Sequence, residues 1–409
     1  MSGEIAVCGA KNSALKAMAA SLLFAKPIAI ENIPLIEDVF RMRELLEHLG
    51  ATVEEGDRML QINPAPLLGT ELKKEIAERL RASLVLAGPL LARNGKVKFP
   101  HPGGCVIGKR PIDVFLDGWR AMGAKAREGK NGFEVAARKL KGADFTFRVV
   151  SVTGTETLMM TAVLARGKTI LRNAAMEPEI PVLAQFLNDS GAKISGAGTP
   201  TMEITGTDGR LLHAKRTFEV IPDRIEAGSF LILGAALGKK VKVTGCNPEH
   251  LTALIAALKD AGAPLEIGRD WISVSRPRKL KAVNIQTREY PGFPTDLQAP
   301  FAVLMTQAEG ESMIFETIFE ERFGYVDELR RMGAKIFLSD PHRILAHGPA
   351  RLHGREIESP DIRAGLAFVI AALLAKGESK ISNVYQIDRG YEKIDERLRS
   401  LGAEIQRTA

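Results

Sequence analysis

Along the chain, amphipathic segments with apolar residues at helical spacing end repeatedly in a Gly-Ala pair, and a segment of alternating character follows each pair. The pairs fall at Gly50, Gly123, Gly191, Gly262, Gly333 and Gly402, an interval of about 70 residues each time. Around them stand LLEHLGATVEE, GWRAMGAKARE, FLNDSGAKISG, ALKDAGAPLEI, LRRMGAKIFLS and LRSLGAEIQ. Each predicts a helix, a glycine at its C-terminal cap and then a strand.

A second helix type recurs on the same beat: LKAMAASLLFA, ASLVLAGPLLA, TLMMTAVLA, GSFLILGAAL, PFAVLMTQA and GLAFVIAALLA. These segments are apolar on nearly every side and rich in small residues, which predicts helices enclosed inside a domain. After each come a turn and a β-rich run: PIAIENI, GKVKFP, GKTILRNA, KKVKVTG, GESMIFETI and ESKISNV. One unit therefore reads as a βαβαββ module, and the chain contains six. Three modules about a common axis would enclose three apolar helices behind sheets. Two such bodies account for the length, with the cleft between them as the place for a ligand. One elongated repeat array is the rival arrangement, but it leaves each buried helix short of neighbours.

Composition sharpens this outline. A chain of 409 residues, 45% of them hydrophobic, exceeds the usual size of one core and can fill two. The expected domains are 11–219, and 1–10 together with 220–409. The formal charge of +7 is spread over the whole length, which suits a cleft that gathers small polyanions. Nucleic acid is disfavoured as a partner, because aromatic residues are few and no basic amphipathic or RNP-like segment occurs. Cys8, Cys105 and Cys246 are far apart and lack metal-ligand spacing, which points to a reducing compartment and away from a disulfide frame or zinc. The apolar stretch from Ala17 to Phe24 lacks a cleavage site and reads as a buried helix, not a signal peptide. No apolar run approaches the roughly 20 residues that cross a bilayer, so a soluble cytoplasmic protein with no membrane partner is expected.

Candidate chemistry lies in loops and at helix starts. The segment HPGGCVIGKRPID, from His101 to Asp113, follows a strand and is too rich in glycine for regular structure. Lys109 and Arg110 place Cys105 in electropositive surroundings that lower a thiol pKa, although loop cysteines are commonly incidental. Polar groups also precede every interior helix: Lys11-Asn12-Ser13, Arg81-Ala82-Ser83, Ser151 to Thr155, Asp223 to Glu226, Pro294-Thr295-Asp296 and Asp361-Ile362-Arg363. Any one of these reads equally as a helix cap. Their equivalence predicts a rim of helix N-termini facing a common cleft, where anions are favoured.

GAKNSAL, PHPGGCVIGKRPID, PDRIEAGSF, FPTDLQA, FEERFGYVDELRRMGA and IDRGYEKIDERLRSLGA closely resemble the UDP-N-acetylglucosamine 1-carboxyvinyltransferase family of enolpyruvyl transferases, and the similarity spans almost the entire chain. The resemblance implies an inside-out α/β barrel of two domains, each built from three repeats. It also implies transfer of enolpyruvyl from phosphoenolpyruvate to the 3′-hydroxyl of UDP-N-acetylglucosamine in peptidoglycan precursor synthesis, with no metal or organic cofactor. Cys105 matches the general acid that fosfomycin alkylates, and Asp296 the carboxylate that contacts the sugar hydroxyl as base. Lys11, Asn12, Arg110, Arg363 and Arg389 match the phosphoenolpyruvate site. Arg81, Arg110, Pro111, Ile112, Asp113, Val114, Ser151, Val152 and Ile318 match contacts to the UDP-sugar, and Arg322 and Asp361 the remaining cleft lining.

Two departures from the family stand out. Val149 occupies a position where the family carries a lysine, and the segment ahead of Gly9 is too short for the family's first strand. Three rival functions were weighed. The sister transferase acting on shikimate 3-phosphate opens with SKS in place of AKN and has no counterpart to PGGC. A catalytically impaired UDP-sugar-binding sensor would not need Cys105, Asp296 and the arginines. An RNA-end cyclase would need a histidine for nucleotidylation, and none of the 7 has a suitable setting.

Overall fold

In the computed structural model, which describes residues 1–64, 69–101 and 112–408, all six Gly-Ala pairs end their helices by one hydrogen-bond scheme. At the first pair, Gly50 N–H donates to the Glu47 carbonyl and Ala51 N–H to the Leu46 carbonyl, both at 3.0 Å. The same two bonds recur at the other five pairs at 2.8 to 3.0 Å, and the glycines take φ values from +85° to +110°. A residue with a Cβ is penalised in that left-handed region, so glycine is selected. The alanine supplies the small apolar group that this cap pairs with the residue five positions back. Ala51 and Leu46, Ala124 and Trp119, and their four equivalents are all buried.

Five pairs lead into the expected strand: Thr52–Gly56, Lys125–Gly129, Lys193–Ser195, Leu265–Ile267 and Lys335–Asp340. The sixth does not, since 403–408 contains no strand. In the other five modules the strand is the outer member of a hairpin, as Thr52–Gly56 is to Met59–Asn63. After Gly402 no second strand is present among the described residues to pair with it.

The described residues divide into two compact units, 9–221 in one, and 1–8 with 222–408 in the other. Each unit has its own apolar core. In the first, the interior helices are Lys11–Ala20, Ala87–Asn94 with its preceding turn Arg81–Leu86, and Val152–Leu164. Val152–Leu164 is buried without a break from Gly154 to its end. The helices approach closely: a Cβ on Gly88 would lie 2.6 Å from the Thr157 carbonyl oxygen. In the second unit, Arg224–Leu237, Gln298–Met305 and Ile362–Leu374 pack on one another.

Among the described residues sheets cover these helices, three to a unit, and four of the six share one four-stranded order. Asp144–Thr146 runs parallel to Lys168–Arg172, which pairs antiparallel with Thr201–Thr205 and that with Lys193–Ser195. Ile285–Gln286, Gly310–Phe315, Arg343–Gly348 and Lys335–Asp340 repeat the pattern in the other unit. Helices inside and sheets outside make the inside-out α/β arrangement that the six modules predicted.

The opening segment corrects an expectation. Ser2–Ala6 is a strand, parallel to Lys240–Thr244 in register from Ser2 opposite Lys240 to Ala6 opposite Thr244. Its only buried residue is Ile5, so no alternation announces it in the sequence. Phe218–Glu219 pairs in the same parallel way with Ile28–Glu31, so the chain leaves one unit for the other after Cys8 and again after Ile221. No helix among the described residues is long and apolar enough to cross a membrane.

One charged contact lies inside the first core. Lys16 Nζ stands 3.1 Å from Glu156 Oε2, with side-chain exposures of 6% and 0%. Burial pushes the Glu156 carboxyl up to about 7, with Lys16 opposing the shift and the charges of Glu179 and Glu177 adding to it.

Two predictions follow from these contacts. Gly123→Ala should cost about 1–2 kcal/mol in urea unfolding for its left-handed φ alone, because open space surrounds the new Cβ. Gly333→Ala should cost more, since its Cβ would meet the Arg351 carbonyl at 2.7 Å, and equal losses would contradict the cap geometry. Lys16→Met at pH 8 should cost about 3–5 kcal/mol by stranding Glu156, and adding Glu156→Leu should recover most of it. A carboxyl whose folded value lies above its unfolded 4.5 costs stability as pH rises between the two, so the single variant's loss should shrink toward pH 5.

Candidate functional site

In the unit holding 222–408, two guanidinium groups converge on one carboxylate. Asp296 lies in the turn Thr295–Leu297 that leads into Gln298–Met305. Arg322 Nη2 donates to its Oδ1 at 2.8 Å. Arg363 donates to its Oδ2 through both Nε, at 3.0 Å, and Nη2, at 2.8 Å. Both arginine side chains are buried, at 5% and 7%, while Asp296 keeps 28% of its side chain exposed. Two buried cations therefore hold a carboxylate that is itself partly exposed.

Behind this trio stands a second layer of hydrogen bonds. Arg363 Nη1 donates to the Tyr391 hydroxyl at 3.0 Å, which lies 3.1 Å from Ser229 Oγ. Burial works against the Arg363 charge, but Asp296, Tyr391 and Asp223 together outweigh it, and the guanidinium titrates above its ordinary range. Arg322 Nη1 donates to Thr295 Oγ1 at 3.2 Å. Thr295 in turn donates to Glu316 Oε2 at 2.7 Å, and Ile318 N–H donates to the other oxygen of Glu316 at 2.8 Å.

The remaining expected residues of this unit are placed differently. Asp361 Oδ1 accepts from Arg363 N–H at 2.7 Å and Ala364 N–H at 3.0 Å, so it caps the helix Ile362–Leu374. Asp223 caps Arg224–Leu237 in the same way. Arg389 follows the short helix Tyr385–Asp388 and donates to Gln386 Oε1 at 3.0 Å.

In the unit holding 9–221, the expected ligand residues also gather at helix starts. Lys11 and Asn12 open Lys11–Ala20, and Lys11 Nζ lies 3.2 Å from Asp38 Oδ2. Arg81 begins the turn Arg81–Leu86. Ile112 is buried ahead of the helix Asp113–Ala121, which Asp113 and Val114 open, and Asp113 Oδ1 accepts from Val114 N–H at 3.0 Å. Ser151 caps Val152–Leu164 by accepting from Gly154 N–H at 3.1 Å. Positive partial charge at these N-termini favours anions, and lysine and arginine there add to it. Cys105, Arg110 and Pro111 lie outside the described residues. Val149 is 66% exposed and brings no charge to its segment.

Sequence reasoning missed Glu316, Thr295 as a linker, Tyr391 and Ser229. Tyr391 was visible inside IDRGYEKIDERLRSLGA, whereas Glu316 lies within GESMIFETI, a run read as β-rich. Nothing in the local pattern marks it as a buried carboxylate.

The family described as EPSP synthase (3-phosphoshikimate 1-carboxyvinyltransferase) matches residues 1–398. The chain belongs to this family of carboxyvinyl transferases. Among curated relatives, the UDP-N-acetylglucosamine 1-carboxyvinyltransferase of Desulforapulum autotrophicum is 44% identical over 407 residues, covering 100% of this chain and 97% of its own. The protein of the same name from Acidobacterium capsulatum is 46% identical over 411 residues, covering 99% and 93%. Among solved structures, the enolpyruvyl transferase NikO from Streptomyces tendae superposes with a TM-score of 0.89 at 25% identity, covering 99% of this chain and 96% of that one. An EPSP synthase from Acinetobacter baumannii gives a TM-score of 0.75 at 19% identity over 100% and 97%, a likeness of fold.

The capping geometry of Asp361 carries its own prediction. Asp361→Ala should cost about 1 kcal/mol in urea unfolding, and Asp361→Asn distinctly less, because asparagine caps as well as aspartate. Equal losses would mean that the charge matters and the cap does not.

Proposed function

We propose that the chain transfers the enolpyruvyl group of phosphoenolpyruvate to the 3′-hydroxyl of UDP-N-acetylglucosamine and releases phosphate. The observation that carries this reading is identity of 44% over 100% of the chain to transferases of that name, against 19% for the EPSP synthase structure. In this reading the reaction belongs to the cytoplasm and supplies peptidoglycan, and through it cell shape and division.

The chemistry needs the residue types present. Phosphoenolpyruvate carries a phosphate and a carboxylate, for which Lys11, Arg110, Arg363 and Arg389 supply fixed cations and Asn12 an amide. Cys105 gives its proton to the terminal methylene carbon, leaving a cationic centre at the carbon that bears the phosphate. The sugar hydroxyl attacks that centre while Asp296 takes the hydroxyl proton. Loss of a methyl proton and of phosphate from the tetrahedral adduct restores the vinyl group. Arg81, Arg110, Pro111, Ile112, Asp113, Val114, Ser151, Val152 and Ile318 hold the UDP-sugar. Arg322 steadies Asp296 at 2.8 Å, and Asp361 orders the helix start that carries Arg363.

The family description also names a shikimate acceptor, so the test offers both. Phosphate release from phosphoenolpyruvate is measured with UDP-N-acetylglucosamine or shikimate 3-phosphate, before and after fosfomycin. Release should require the UDP-sugar and stop on alkylation of Cys105; release driven by shikimate 3-phosphate instead would overturn the reading. Cys105→Ser should bind the nucleotide and lose most turnover. Asp296→Ala should lose turnover by about 10²–10⁴-fold with little change in phosphoenolpyruvate affinity.

A further inference from the structure

We propose that Glu316 is a positioning residue for the transfer, holding Asp296 and the Ile318 main chain in the relation that the UDP-sugar requires. The inference rests on the UDP-sugar reading of the site.

Glu316 directly follows the strand Gly310–Phe315 and is fully buried. One oxygen accepts from Ile318 N–H at 2.8 Å, Phe319 N–H at 3.1 Å and Thr287 Oγ1 at 3.0 Å. The other accepts from Thr295 Oγ1 at 2.7 Å and Gln298 Nε2 at 3.4 Å. Thr295 also accepts from Arg322 Nη1 at 3.2 Å, and the same guanidinium holds Asp296. A single carboxylate thus ties the segment carrying Ile318 to the turn carrying Asp296.

A cap for the end of the strand would need only the first oxygen, and a neutral acceptor would serve. Burying a full negative charge is costly unless hydrogen bonds replace its water, and here donors from three segments do so. The second oxygen is what reaches Asp296. Gln298 cannot turn its amide to suit another residue, because its own Oε1 accepts from the Tyr325 hydroxyl at 2.7 Å. A glutamine at position 316 would therefore set an NH2 group against one of the two donor sets.

The test uses the full chain with Glu316→Gln, Thr295→Val and Thr295→Ser, reading phosphate release with each substrate varied in turn and melting curves to confirm folding. Glu316→Gln should raise KM for UDP-N-acetylglucosamine and lower kcat, each about tenfold, with KM for phosphoenolpyruvate within about twofold of wild type. Thr295→Val should lower kcat about tenfold, and Thr295→Ser, which keeps the hydroxyl, should stay within about twofold. A fall in kcat with both KM values unchanged is what a smaller folded fraction produces, and it would overturn the proposal. If Glu316→Gln does not fold, the Thr295 pair decides, and equal kcat in the two variants overturns it. An active wild type beside indifferent variants sinks this inference alone, whereas no UDP-sugar-dependent release by the wild type sinks the acceptor reading and this inference with it.

Discussion

A helix that is apolar on every side is stable in water only when every side is covered. That requirement organises this chain. Each interior helix is packed against its sister helices and roofed by sheets, so its flanks admit a polar residue only where a partner meets it, as Lys16 meets Glu156 and Ser229 meets Tyr391. Polar side chains remain tolerable at the first turn, where four backbone N–H groups lack intrahelical partners and an oxygen or a bound anion can satisfy them. Ser151, Asp223 and Asp361 fill that need as caps, and Lys11, Arg81 and Arg363 stand beside such positions. Many of the residues proposed for chemistry consequently stand at helix starts.

Two of the buried ion pairs show how differently such charges are settled. Lys16 and Glu156 meet at 3.1 Å between interior helices, but neither Glu156 oxygen has a hydrogen-bond partner of good geometry. Its carboxyl is pushed up to about 7 by burial, so apolar residues of similar size would replace most of what the pair contributes. Arg363 donates two N–H···O bonds to one oxygen of Asp296 and a third to the Tyr391 hydroxyl, which meets Ser229, so the desolvated guanidinium is satisfied on both sides. The Arg363 guanidinium is held charged. A fixed, buried cation of this kind suits a ligand that is an anion.

Much of this fold was legible in the sequence because its strongest signals are backbone requirements. The left-handed cap demands glycine at each of six positions, and the core behind it demands a small apolar neighbour, so the Gly-Ala beat survives wherever the surrounding residues vary. The first strand was not legible, because Ser2–Ala6 buries only Ile5 and draws its stability from pairing with residues 240–244. The sixth strand was read where none forms, since LRSLGAEIQ carries the local cap signal but no partner strand. In the site, charged residues at helix starts announced themselves. Glu316 did not, because its role depends on Thr287, Thr295 and Gln298, which only the tertiary fold brings to it.

The roles proposed for Arg363 and Asp296 constrain each other. A carboxylate whose two oxygens accept three charge-assisted hydrogen bonds has few directions left for a further donor. Asp296 stands in that state here, with Arg322 on one oxygen and Arg363 on the other. The anionic substrate proposed for Arg363 would compete for the same N–H groups. Any share of Arg363 drawn away from Oδ2 would leave that oxygen room to accept from another donor, such as the sugar hydroxyl proposed to meet it. Arg322, tied through Thr295 to buried Glu316, keeps the carboxylate aimed while that exchange occurs.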